Sequence, residues 1–208
     1  MSACITAIQA DHTDPNIRHI YVSETCVASL TITEIEKLQI VLNKDWTEEL
    51  ACAIEDVQGT EKTRSIALQL ISRRAWSKKE LSDRLIKRGS DASAASLITE
   101  QLEEDGWLDD LAYASACIRD WIRIEPASRR WLTHKLSGKG ITENTATQAI
   151  DEAIGDQSEQ NAATALAKLR LVKVSTLDES TQRRRVMSAL QRRGFSSDTA
   201  SEAIRRAT

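Results

Sequence analysis

Fifteen basic residues in three groups are the side chains whose type and spacing could do chemistry in this chain of 208 residues. Arg73, Arg74, Lys78, Lys79, Lys87 and Arg88 form the first group; Arg129, Arg130, Lys135 and Lys139 the second; Arg183, Arg184, Arg185, Arg192 and Arg193 the third. Arg84 lies inside the first group, and Arg205 and Arg206 follow the third. Cations brought onto one face offer charge to a phosphate backbone or to an acidic protein surface. Helix C-termini favour Lys and Arg for the macrodipole alone, so the threefold recurrence is what counts, not any single residue.

The residue types for catalysis are not set out in a working pattern. The sequence contains no Gly-x-Ser-x-Gly, no His-Glu-x-x-His and no glycine-rich phosphate loop. Gly138-Lys139-Gly140 looks like a phosphate loop in composition, but it falls where a helix ends, and a cap accounts for it. Cys4, Cys26, Cys52 and Cys117 contain no Cys-x-x-Cys pair, and His12, His19 and His134 are scattered. The cysteines therefore fit reduced apolar positions, and no catalytic residue, metal or cofactor is expected.

The elements that must hold the cations are legible as a repeat. Ser77 to Gly89 states a helix with both ends: Ser77 and Glu80 are spaced as a capping box, Trp76 and Leu81 as a hydrophobic staple, and Gly89 stops it with Leu85 four residues before. The same ending returns at Leu136 to Gly140 and Leu190 to Gly194, offset by 51 and 54 residues. Leu81, Leu132 and Val186 stand eight residues before each glycine, Ser128 stands twelve before the second, and Thr181 thirteen before the third. Each unit reads as three helices with the basic second helix in the middle. Helix three of the first unit is expected from Ser93 to Asp105 with Leu97, Ile98 and Leu102 inward; in the second, Asp110 to Ile124 precedes a break at Pro126, and Thr142 opens the last helix. The third is expected over Ser158–Leu171, Glu179–Arg193 and Ser196 onward. Units of this size bury too little surface alone and should stack.

The fold expected is mainly α: three tandem three-helix repeats in an elongated curved body, over 61–108, 109–156 and 157–208, after an N-terminal extension over 1–60. Ile5–Ala10 and Ile17–Val22 read as a hairpin, with Cys26–Leu30 as a third strand. Thr31 and Glu34 open a helix expected to reach Leu42; a further helix covers Trp46–Val57, and Gly59 marks the junction with the repeats. Trp46, Trp76, Trp107, Trp121 and Trp131 are expected as core or staple residues. No apolar run is long enough for a membrane span, and the chain is expected to be cytoplasmic. Residues 1–60 carry three Lys or Arg against ten Asp or Glu, while 61–208 carry 25 against 21. Opposite the cations, Glu100, Glu103, Glu104, Asp105, Asp109 and Asp110 form an acidic patch: a solvated face, an ion-pair partner for the stripe, or a docking site.

Ser77-Lys-Lys-Glu-Leu-Ser-Asp-Arg-Leu-Ile-Lys-Arg-Gly89, Gly106-Trp-Leu-Asp-Asp-Leu-Ala-Tyr-Ala114, Lys139-Gly-Ile141 and Arg192-Arg-Gly-Phe195 resemble the signatures of the RecX family of recombinase regulators, in order and spacing, from about residue 62 onward. Residues 5–42 resemble the strand-containing extension of many members. Glu125-Pro-Ala-Ser128 and Glu24-Thr25 depart from the pattern, since both places commonly hold a glycine. The resemblance implies a non-enzymatic protein that lies along the RecA recombinase filament on single-stranded DNA, and a monomer is the default expectation. It further implies inhibition of ATP hydrolysis, strand exchange and co-protease activity, by blocked extension or promoted disassembly, in recombination, repair and the SOS response. Two other readings stay open: a stand-alone DNA-binding protein of helix-turn-helix-like units, which the net charge of −3 disfavours, and a helical scaffold for another protein.

Overall fold

A computed structural model describes residues 3–155 and 158–208; the boundary expected between 156 and 157 lies outside the described residues. Among these the chain is mainly helical, with ten helices after a three-stranded sheet. It divides into two compact units, one of residues 1–70 and 84–98, the other of 71–83 and 99–208.

In the first unit β1 (Ile5–Ala10), β2 (Ile17–Val22) and β3 (Thr25–Thr31) form an antiparallel meander. Their buried face, Ile5, Ile20, Val22, Ala28 and Leu30, packs on Ile40, Leu50 and Ile54. The β2–β3 turn does without glycine: Ser23 and Glu24 both take positive φ, 48° and 67°, the backbone pair that matches strand twist in a two-residue hairpin. His19 ties the sheet laterally, with Nε2 2.9 Å from Asp11 and Nδ1 2.8 Å from Ser29.

Two expectations in this region are corrected. The helix capped by Thr31 and Glu34 is α1 (Ile32–Lys37), which stops well before Leu42. Gln39 takes φ 50°, and the Gln39 and Ile40 amides close on the Glu36 and Ile35 carbonyls, a Schellman stop formed without glycine. The helix expected to end before Gly59 is α2 (Glu48–Ile71), which runs 24 residues straight through it. One glycine costs about 1 kcal/mol in a helix interior, and the strong formers around it outweigh that.

Helices α3 (Lys78–Ile86) and α4 (Ala92–Glu104) follow, then α5 (Asp110–Ile124), α6 (Arg129–Ser137), α7 (Glu143–Ile154), α8 (Glu159–Lys173), α9 (Glu179–Arg192) and α10 (Ser197–Ala207). The repeated apolar pair behaves alike each time: Leu81, Leu85, Leu132, Leu136, Val186 and Leu190 are all fully buried, at about 2 kcal/mol apiece. Gly89, Gly140 and Gly194 take φ +91°, +80° and +82°. The next amide in each case returns to the leucine carbonyl, Ser90 to Leu85, Ile141 to Leu136 and Phe195 to Leu190. Pro126 lies between α5 and α6, where the Glu125 backbone is already extended. The cores of α5–α7 and α8–α10 are separate clusters, around Ile118, Leu132 and Leu136 and around Leu166, Leu190 and Phe195.

Two further positions differ from expectation, Leu97 and Trp107. Leu97 is 46% exposed, because α4 is set by the stripe Ala94, Ala95, Ile98 and Leu102. Helix α9 begins at Glu179, as expected, and its cap is Asp178, which accepts from the Thr181 amide at 2.9 Å. Trp107 is 60% exposed, whereas Trp46, Trp121 and Trp131 are half-buried against the core clusters and Trp76 is half-buried beside the start of α3.

Candidate interaction surface

Within the second unit, successive repeats are joined at the two ends of their middle helices. The Ser77 hydroxyl accepts from the Glu80 amide (3.1 Å) and donates to the Lys139 carbonyl (2.7 Å), and the Lys78 amide donates to the Asp110 carboxylate (2.9 Å). At the next joint the Ser128 amide donates to the Arg193 carbonyl (3.0 Å), while its hydroxyl caps α6 through the Trp131 amide (3.1 Å). Lys139 and Arg193 immediately precede Gly140 and Gly194, so the same position of the repeat docks on the helix start of the repeat before it. The glycines make this approach possible. A Cβ on Gly140 would overlap the Lys79 side chain, and one on Gly194 would overlap the Ser128 hydroxyl and crowd Trp131, whereas one on Gly89 meets nothing within 4 Å.

The two pre-glycine cations lock these joints. Lys139 Nζ donates to Glu80 Oε1 and to the Tyr113 hydroxyl, both at 2.9 Å, and that hydroxyl donates to Glu80 Oε2 at 2.8 Å. Arg193 puts Nε and Nη2 on Glu125 Oε2 at 2.9 and 2.7 Å, and Arg170 pairs with the other oxygen. Burial pushes the Glu80 carboxyl up, but hydrogen bonds from Lys139 and Tyr113 and the Lys139 charge outweigh it and leave it below its ordinary value. Burial likewise works against the Lys139 ammonium, and its bonds to Tyr113 and Glu80 still carry its pKa above the usual lysine value. Burial raises the Tyr113 hydroxyl, which stays protonated and able to donate. Asp110 goes the other way: burial raises its carboxyl, only partly offset by the Lys78 amide, and nearby Glu103 and Asp109 add to the rise.

The basic groups accordingly fall into two sets. Lys78 pairs with Glu103 at 2.6 Å, Lys79 with Asp83 at 2.8 Å, and Arg129 with Asp151. Arg74 lies 3.4 Å over the Trp76 ring and reaches Glu80 at 3.4 Å. Together with Lys139 and Arg193, these side chains are already held by the protein. Arg73, Arg84, Lys87, Arg88, Arg130, Lys135, Arg183, Arg184, Arg185 and Arg192 are exposed, and among the described residues they make no ion pair. The acidic patch is likewise divided: Glu103 holds Lys78, Asp110 receives the Lys78 amide, and Asp109 caps α5 through the Ala112 amide.

Lys135, Lys139 and Arg193 come together along an open groove of about 480 Å³, lined also by Trp121, Ile124, Trp131 and Gly138. Trp121 meets Trp131 edge-on with centroids 5.7 Å apart. Arg193 lies 4.5 Å and Lys135 5.4 Å from the Trp131 ring centroid. Ile124 closes α5 with 74% of its surface exposed. Sequence reasoning expected the tryptophans as core or staple residues, and read Glu80 only as a cap, Ile124 only as a helix end, and Tyr113 and Glu125 only as parts of motifs. The available signal was that Trp121 and Trp131 flank the Pro126 break between two amphipathic helices, where side chains reach the rim.

Among the described residues no group of three or more His, Cys, Asp or Glu is placed to hold a metal ion, and no helix is long and apolar enough to cross a membrane. Three-helix units with separate cores, joined through caps, glycines and buried-edge ion pairs, define a helical-repeat protein. Residues 157–204 match the profile of the third three-helix domain of RecX. The regulatory protein RecX of Chlorobaculum tepidum is 30% identical over 141 residues, 67% of this chain and 84% of that one. That of Treponema pallidum strain Nichols is 31% identical over 137 residues, 64% and 84% of the two chains. The Listeria monocytogenes serotype 4b protein is 24% identical over 204 residues, 98% and 76%. A crystal structure of regulatory protein RecX has the same fold, with TM-score 0.77 and 20% identity over 98% of this chain and 99% of that one. That of RecX from Lactobacillus salivarius gives 0.58 and 21% over 73% and 97%. The chain belongs to the RecX family of regulatory proteins, whose members are not enzymes.

Proposed function

We propose that this chain binds the RecA-type recombinase filament on single-stranded DNA in the cytoplasm and restrains its ATP hydrolysis, strand exchange and co-protease activity. Its tandem three-helix units, over 61–108, 109–156 and 157–208, supply the binding surface, and one molecule acts at a time. The observation that carries this reading is the set of unpaired cations on the middle helices and the segments leading into them. Arg73, Arg130, Arg183, Arg184, Arg185 and Arg192 are exposed and make no ion pair among the described residues, so they stay available to phosphates or carboxylates outside the molecule. A net charge of −3 makes naked DNA a weak ligand by itself, and favours a partner that presents protein and phosphate together.

The test compares binding of labelled chain to preformed filament and to naked single-stranded DNA at the same moderate salt. Tight filament binding, with DNA binding that fades as salt rises, is the expected result. Equal affinity for both overturns the proposal in favour of a plain DNA-binding protein.

A further inference from the structure

The groove beside Trp121 and Trp131 differs from the rest of the basic surface in what its cations are already doing. Lys139 is committed to Glu80 and Tyr113, and Arg193 to Glu125, each inside the molecule at 2.9 Å or less. Of the three cations lining the groove, Lys135 alone lacks an ion-pair partner among the described residues. Held cations cannot follow a phosphate backbone, and better-placed free arginines stand elsewhere on α9. What the groove does offer is apolar: an isoleucine exposed at a helix end, two indoles set at 85° to each other, and a glycine that leaves the wall open. Half-buried Trp beside an exposed Ile and a rim of Arg and Lys is the composition of a protein-interface centre, where one apolar anchor is seated and excluded from water.

We infer that this groove is a docking site for a protein segment carrying an apolar side chain beside an acidic one. The apolar group lies against Ile124, Trp121 and Trp131, and the carboxylate meets Lys135. This rests on the filament reading above and divides the surface: the groove takes the recombinase protein, and the unpaired arginines of α9 take the DNA. The occupant is acidic by charge complementarity, because no carboxylate lines the groove and Lys135 stands in it without an ion-pair partner among the described residues. Single-stranded DNA with a base on the indoles is the competing occupant, and the test separates the two.

The experiment uses the full chain as wild type, Ile124→Asp, Lys135→Glu and the combined Arg183→Glu, Arg184→Glu, Arg185→Glu variant. Each is titrated against recombinase filament on single-stranded DNA and against the same DNA naked. Ile124 is exposed, so its replacement leaves the helical circular dichroism and the unfolding temperature close to wild type. The inference predicts that Ile124→Asp and Lys135→Glu each weaken filament binding by about tenfold or more, with naked-DNA binding within about twofold for Ile124→Asp. The arginine variant is expected to lose naked-DNA binding most. Parallel loss of filament and naked-DNA binding on Ile124→Asp assigns the groove to nucleotides and overturns the inference. Filament binding unchanged in both groove variants overturns it as well. If the wild type itself fails to bind filament, the proposed function falls and the inference with it, a result distinct from loss in the variants alone.

Discussion

Glu80 shows how much of the charge in this chain is spent internally. It was legible as the acidic member of a capping box, yet its carboxylate reaches across to Lys139 and Tyr113 and so ties two repeats together. Replacing it with Gln leaves one acceptor and removes the charge, which should cost about 1–2 kcal/mol at neutral pH in urea unfolding. Its folded pKa lies below the unfolded value, so its contribution is present above the ordinary value of 4.5 and is lost as pH falls through the folded pKa. Wild type should therefore lose more stability than Glu80→Gln on acidification, and the two curves should converge at low pH. Asp110 has the opposite sign. Its folded pKa is raised, so its contribution is present below the ordinary value of 3.8 and is lost as pH rises through the folded pKa. Asp110→Asn keeps an acceptor for the Lys78 amide without the buried charge, and neutral-pH stability should not fall.

At the scale of elements, the three stop glycines separate two physical demands. All three need a left-handed backbone, at about 1 kcal/mol for an alanine there, but only Gly140 and Gly194 also lie against a neighbouring helix start. Gly89→Ala should cost about 1 kcal/mol, and Gly140→Ala and Gly194→Ala about 2–3 kcal/mol each, measured by urea unfolding. The α9 cap gives a second test. Asp178→Ala removes the acceptor of the Thr181 amide and should cost about 1 kcal/mol, whereas Thr181→Ala should cost under about half of that. These elements also mark how far the sequence could be read. Caps, stop glycines and the paired leucines were legible because each is a local rule with few competing solutions. Where the structure departed, the deciding contact was tertiary or the residue was an unusual choice for its role. Gln39, Ser23 and Glu24 hold positive φ that glycine signals would have announced. Gly59 carries the mark of a break but sits inside a long helix that the surrounding sequence sustains. Leu97 fits a helical stripe with Ile98 and Leu102, but alanines at 94 and 95 set the buried face. The basic set was legible as a set; which cations the protein keeps depends on carboxylates up to 68 residues away, as Glu125 is from Arg193.

For the whole molecule, the distinction between held and unheld cations carries the functional argument. Reversing Arg183, Arg184 and Arg185 leaves the intramolecular ion pairs intact and removes charge that only an outside partner can use, so the helical content should survive while the salt dependence of DNA binding flattens. Reversing Arg129, Arg130 and Lys135 mixes the two kinds, because Arg129 also gives up Asp151. The most direct measurement is the rate of ATP hydrolysis by preformed recombinase filament on single-stranded DNA as wild-type chain is added, beside the triple α9 variant. The account predicts that hydrolysis falls as wild-type chain is added and that the variant requires about tenfold more or greater for the same fall. Hydrolysis that continues unchanged at saturating wild-type chain would contradict it.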